Sequence, residues 1–253
     1  MQNTFDDGDG NMIDLATMTV RDIALASPAT TRVFEEYKID FCCGGRKSLD
    51  EACSLAGVSA TDVSEKLKTI LEAPPLDFEP EKLGISELVS YILDKHHEFT
   101  RTEMLHLGGL MEKVVWKHGD KHPELHELKE NFQLLTSDLI SHMRKEEMVL
   151  FPYIQDITRA SSRGLTPLLP PFGTVANPVH RMQYEHDEAG NILKKMRELT
   201  KDYALPDGSC PTFTALYVGL DALEKDLHQH IHLENNVLFP LAQEMENAVF
   251  ERN

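Results

Sequence analysis

His142-Met-Arg-Lys-Glu146-Glu-Met-Val-Leu-Phe151-Pro152 returns 88 residues later as His230-Ile-His-Leu-Glu234-Asn-Asn-Val-Leu-Phe239-Pro240. The two strings share His, Glu, Val, Leu, Phe and Pro. Residues four apart lie on one side of a helix, so each copy presents an imidazole and a carboxylate toward one point. The spacing alone is weak evidence, because it also occurs at His126/Glu130. That third pair lacks the Val-Leu-Phe-Pro tail and reads as accidental. The repeated flank makes the other two a signal.

The duplication reaches further. His97 and His186 stand 89 residues apart and each precedes an acid, Glu98 and Asp187. The chain therefore reads as two similar halves, each supplying one His and then one His-x-x-x-Glu. Two copies of such length indicate a pseudo-symmetric domain rather than a solenoid. Helical periodicity places four long helices near 85–116, 123–158, 176–201 and 210–248, with strand signals nearly absent. Short connections favour antiparallel neighbours, hence an up-down four-helix bundle and an all-α fold. Phe151-Pro152 and Phe239-Pro240 fall inside helical patterns, where a kink or an end is expected. Arg159 to Val175 is a long Ser-, Gly- and Pro-bearing connection, expected to be mobile or functional.

Ahead of the bundle, residues 14–75 read as a small helical domain, and 81–250 as the bundle domain. Residues 1–13 read as a loose tail. Thr19 with Asp22, Ser27-Pro28, Ser48 and Ser59 open short helices. Asp40-Phe-Cys-Cys-Gly-Gly45 reads as a turn whose paired glycines permit positive φ. Ala73-Pro-Pro-Leu-Asp-Phe-Glu-Pro80 cannot continue a helix and reads as a linker.

Composition removes several function classes. The hydrophobic share of 41% suits a globular core, and no apolar run is long enough to span a bilayer. The start of the chain has no basic and apolar leader pattern, so a cytoplasmic protein with no membrane partner is expected. A net charge of −17 opposes nucleic-acid binding and suits a protein that attracts cations. Four cysteines, two of them adjacent, do not make a disulfide scaffold. No Ser/His/Asp pattern, P-loop or dinucleotide fingerprint is visible.

The bundle would point His97, His142, Glu146, His186, His230 and Glu234 inward. Two ions with two imidazoles each, bridged by both carboxylates, use all six, with room for an oxo bridge or a small ligand. This donor set suits iron, manganese or zinc better than calcium. Asp138 and Asp226, one turn before His142 and His230, are expected acceptors for the ligand imidazoles. Glu185 is expected to be an exposed acid or to line an access channel. His96 and His232 are expected to face elsewhere, and His118, His122 and His126 to form a loop cluster. Cys42 and Cys43 are candidate redox or docking thiols. Adjacent cysteines do not easily close a disulfide with each other, so ligation of a soft metal, attack on a disulfide and trapping of nitric oxide all stay open, beside a purely structural role. Cys53 and Cys210 are expected to be inert.

At these residues the chain resembles the Repair of Iron Centres family. The features are Asp40-Phe-Cys-Cys-Gly-Gly45, Tyr91-Ile…His97, His142-Met…Lys145-Glu-Glu147…Leu-Phe-Pro152, Glu185-His-Asp-Glu-Ala-Gly190 and the His230–Pro240 string. The resemblance implies a hemerythrin-like bundle with a non-haem di-iron centre behind a small cysteine-bearing domain. It implies iron ligation by the six residues named above, with Cys42 and Cys43 at the family's cysteine pair. It further implies a homodimer that repairs iron–sulfur cluster proteins damaged by nitrosative or oxidative stress, by donating ferrous iron rather than by catalysis. Alternatives are a carrier or sensor of nitric oxide or dioxygen, and a di-iron nitric oxide or peroxide reductase. Two departures are expected to matter: the Arg159–Val175 connection is long for the family, and His118 matches a family histidine near the site.

Overall fold

The computed structural model describes residues 4–6, 12–15, 17–73 and 78–251. Positions 74–77 of the expected linker lie outside the described residues, as does most of the expected tail. What is described of that tail differs from expectation. β1 (Thr4–Asp6) and β2 (Met12–Asp14) form an antiparallel ladder pairing Phe5 with Ile13. Three-residue strands are too short to leave a period in the sequence.

The chain forms two units, residues 1–83 with 231–237, and residues 84–230 with 238–253. The first holds α1 (Val20–Ala26), α2 (Thr31–Glu36), α3 (Leu49–Ala56) and α4 (Ala60–Leu71). Their starts follow hydroxyl chemistry. Thr19, Ser48 and Ser59 accept the N–H of Asp22, Glu51 and Asp62, which relieves free amides of each first turn. Pro28 opens a single 3-10 turn that leads into α2. Val20, Ile23, Val33, Phe34, Phe41, Leu49, Val63 and Leu67 bury together as this unit's core.

The four long helices are α5 (85–118), α6 (124–162), α7 (Ala176–Leu199) and α8 (211–250). Neither Phe-Pro breaks its helix. The backbone widens instead into π turns at Glu146–Leu150 and Leu233–Leu238 and resumes α geometry at Phe151 and Phe239, and a further π turn at Ile92–His97 forms without a proline. Proline has no N–H and crowds the carbonyl four residues earlier. A widened turn bridges that gap, with the N–H of Phe151 donating to Glu146 O, five residues back. A half-turn of this kind also re-aims side chains, which is why such turns gather at functional sites. The bundle core is the apolar stripe expected from the 3.6-residue period, including Leu107, Leu128, Phe132, Leu135, Leu193, Phe213 and Leu220.

The connection from α6 to α7 is shorter than the sequence suggests, since α6 runs on to Ser162. Its far end is tied down. Glu246 is buried and accepts the Val175 N–H with both oxygens at 3.0 Å and the Tyr153 hydroxyl at 2.6 Å. Phe172 packs edge-on against Tyr153, 5.1 Å between ring centres. Among the described residues no helix is long and apolar enough to cross a membrane.

Candidate metal centre

Each helix of the bundle contributes to one buried cluster. His97 closes the π turn of α5, and Glu146 opens that of α6, one helical turn after His142. His186 lies mid-way along α7. His230 and Glu234 sit one turn apart on α8, with Glu234 inside the third π turn. All six are buried, and both carboxylates are completely inaccessible to solvent.

The ligand atoms fall into two overlapping groups. His97, Glu146, His230 and Glu234 each bring one donor atom to within 4.8 Å of the others, and so do His142, Glu146, His186 and Glu234. Each imidazole belongs to one group and each carboxylate to both. Glu146 divides its oxygens accordingly: Oε2 lies 3.4 Å from His97 Nε2, and Oε1 3.2 Å from His142 Nε2. The rings pair across the halves, His97 with His230 at 4.9 Å between centres and His142 with His186 at 4.7 Å. The Nε2 atoms of His142 and His186 approach to 3.0 Å. Four imidazoles and two carboxylates gathered within ligand distance and out of reach of water fit a pair of cations far better than an apolar core. Nitrogen and carboxylate donors together suit a first-row transition metal.

The imidazoles are held from behind. His97 Nδ1 donates to Glu147 Oε1 at 2.7 Å, and His142 Nδ1 to Glu185 Oε2 at 3.0 Å. Such bonds fix the tautomer that leaves Nε2 free to coordinate. Both acids are themselves clamped. Glu147 also takes Arg101, while Glu185 takes Lys145 at 2.5 Å and Arg181 at 2.6 Å. Burial pushes the Glu147 carboxyl up, but the Arg101 and His97 hydrogen bonds outweigh it and hold the group below the usual range. The His142 hydrogen bond, with those of Lys145 and Arg181, pulls Glu185 down to about 2. The repeated phenylalanines cover the cluster. Phe151 stacks on His97 at 5.8 Å and Phe239 on His186 at 6.1 Å. The conserved spacing of the Phe-Pro tail within the two halves thus has a physical purpose, an apolar lid over each half's first histidine.

Some expectations are corrected here. Asp138 is exposed, and Asp226 binds His96 Nδ1 at 3.0 Å, so neither was found to be the acceptor for a clustered imidazole. Glu147 and Glu185 hold those places. Single acids carry no spacing signal, although both stand beside a motif residue. His96 belongs to neither group, yet it is buried and lies parallel to His230, 5.5 Å between ring centres. His232 is also buried, with Nδ1 on Asn236 at 3.0 Å, and burial pulls its pKa down to about 4. His118 sits at the other end of α5 from His97, where its Nε2 meets Cys210 Sγ at 3.3 Å. The family histidine it matches therefore brings no ligand to the cluster. Cys210 is not featureless either, because the N–H groups at the start of α8 lower its thiol pKa.

Cys42 and Cys43 lie in the first unit. Asp40 organises their turn by accepting the N–H of Cys42 at 3.0 Å, of Cys43 at 2.9 Å and of Gly44 at 2.9 Å. The glycines are needed for closeness and not for positive φ, which neither adopts. A Cβ on Gly45 would stand 2.7 Å from Phe41 O, and one on Gly44 2.9 Å from Asp40 Oδ2. In the same unit Asn236 donates to Phe41 O at 3.2 Å, and its own carbonyl accepts Arg21 at 2.9 Å.

Comparison with known proteins agrees with this geometry. The family model of the hemerythrin HHE cation binding domain matches residues 88–242, and that of a domain of unknown function (DUF542) matches residues 16–71. The iron-sulfur cluster repair protein YtfE of Yersinia pseudotuberculosis serotype O:1b (strain IP 31758) is 32% identical over 230 residues, 91% of this chain and 98% of the relative. The protein of the same name from Dickeya chrysanthemi (strain Ech1591) is 33% identical over 221 residues, 87% of this chain and 94% of the relative. That from Pectobacterium carotovorum subsp. carotovorum (strain PC1) is likewise 33% identical over 221 residues.

Proposed function

Because this chain belongs to the family of iron–sulfur cluster repair proteins with a hemerythrin HHE domain, we propose that it stores a pair of non-haem iron ions and donates ferrous iron to damaged iron–sulfur proteins. The observation that carries this reading is the sharing of Glu146 and Glu234 between two His-rich groups. In it, His97 and His230 hold one ion, His142 and His186 the other, and both carboxylates serve both. Iron is the cargo. Imidazole is a neutral donor and the carboxylates supply only two negative charges, so a ferrous pair keeps net positive charge in a donor set suited to iron. Glu147 and Glu185 keep the rings aimed, and Phe151 and Phe239 exclude water until release. Cys42 and Cys43 enter as docking or redox thiols outside the storage cluster.

The functional division follows 14–75 for the thiol-bearing domain and 81–250 for the bundle. Cytoplasmic residence, homodimer assembly and exposure to nitric oxide belong to the same reading. Sedimentation velocity tests the dimer.

Metal counting tests the store. Replacing His97 or His186 by Ala removes donors from one group only, so each variant should retain about one ion per chain. Glu146→Ala or Glu234→Ala removes a donor from both and should empty the protein. Equal losses from all four variants would refute the shared arrangement. Donation is tested by mixing iron-loaded protein with a cluster-damaged recipient and a strong reductant. Recovery of the recipient's cluster absorbance is expected, and none should appear with the Glu234→Ala chain.

A further inference from the structure

The Asp40-Phe-Cys-Cys-Gly-Gly45 turn has the geometry of a ligand site in its own right. Cys42 Sγ and Cys43 Sγ lie 3.8 Å apart, and Cys42 Sγ lies 3.4 Å from Asp40 Oδ1. One donor atom from each of Asp40, Cys42 and Cys43 falls within 4.8 Å of the others. A metal–sulfur bond of about 2.3 Å in tetrahedral geometry sets a sulfur–sulfur edge of about 3.8 Å, and a metal–oxygen bond near 2.1 Å sets a sulfur–oxygen edge of about 3.6 Å. In the turn, the sulfur–sulfur edge of 3.8 Å matches the first value, the Cys42–Asp40 edge of 3.4 Å lies close to the second, and the Cys43–Asp40 edge is within 4.8 Å. The turn is held there by three N–H bonds to the Asp40 carboxylate and by glycines that a side chain would push aside. An ordinary disulfide between the same sulfurs would need them at about 2.05 Å with a torsion that neighbouring residues reach poorly. The separation and the backbone therefore favour a cation between the sulfurs over a bond between them.

We propose that Cys42, Cys43 and Asp40 form a second, open metal site for a single thiophilic divalent cation. Three protein donors leave at least one position unfilled. Asp40 is exposed and Cys43 half-buried, so that position is reached from solvent. A thiol gives up its proton on becoming a ligand, so an entering cation displaces protons from the pair. The site accordingly binds weakly enough to exchange. A closed four-thiolate site would keep its ion; three donors with a position open to solvent suit a cation in passage. Its use as a station for ferrous iron rests on the storage reading above, whereas the existence of the site does not.

The test uses the full chain, iron-loaded and fully reduced, titrated with Cd²⁺ under anaerobic conditions. A thiolate-to-cadmium charge-transfer band is expected to saturate at one Cd²⁺ per chain. Cys42→Ser and Cys43→Ser should each halve the band, and Asp40→Asn should keep its intensity while weakening binding. Cys210→Ser should leave the titration unchanged. In the unmutated chain, Cd²⁺ should protect the half-buried Cys43, and not Cys210, from alkylation read by peptide mass spectrometry. This second readout does not depend on any variant folding. Absence of the band, its survival at full intensity in both Cys42→Ser and Cys43→Ser, or an unprotected Cys43 would overturn the site. None of these results touches the iron content of the bundle, so the storage reading stands or falls separately.

Discussion

Glu185 shows what a single side chain does for the cluster. It joins the His142 ring to Lys145 and Arg181, and so converts surface charge into the aim of a buried ligand. Its carboxyl titrates near 2 in the fold against an ordinary 4.5. The unfolded chain therefore takes up the proton first on acidification. The stabilisation is complete above pH 4.5, fades as pH falls, and is gone below about 2. Glu185 retains some solvent access, so we expect about 2 kcal/mol at neutral pH, less than the full shift would give. Urea unfolding of the metal-free chain and of Glu185→Gln should differ by that amount at neutral pH and converge in acid. A gap that stays constant with pH would show that Glu185 acts by packing alone. The six clustered residues were legible because the chain spells them twice. Glu147 and Glu185 were not, since an acceptor needs only to arrive within hydrogen-bond reach and leaves no period behind.

At the level of elements, the long helices could be read to within a few residues at most ends, because proline and glycine mark several of their limits and an apolar stripe runs between. The π turns could not. A Phe-Pro inside a helix states that a backbone bond is missing, without stating whether the helix stops, bends or widens. Tertiary packing decides that, here by keeping Phe151 and Phe239 over the imidazoles. The Glu246 clamp is a further feature invisible in sequence, since its partners Tyr153 and Val175 are remote along the chain. Glu246→Ala would leave a buried hydroxyl and a buried N–H without an acceptor. We expect a loss of about 2–4 kcal/mol in thermal or urea unfolding. Proteolysis between residues 163 and 175 should quicken in the same variant, and an unchanged cleavage rate would show that the loop is held by other contacts.

The molecule as a whole carries a charge of −17, which acts on an ion long before any ligand does. Ferrous iron should load into the metal-free chain faster at low salt. The rate should fall as the screening length shrinks from about 30 Å at 0.01 M to about 8 Å at 0.15 M ionic strength. Stopped-flow loading that ignores salt would mean that opening of the bundle, and not attraction, limits entry. The two halves of the bundle have a consequence of another kind. Residues of one hairpin, α5 with α6, provide His97, His142 and Glu146, which is half of each cluster and the whole of neither. Either hairpin by itself is thus a broken cage, with three of the six donors and no completed set for an ion. Cutting the chain between the hairpins should therefore abolish ion capture by either piece alone and restore it when the two are mixed.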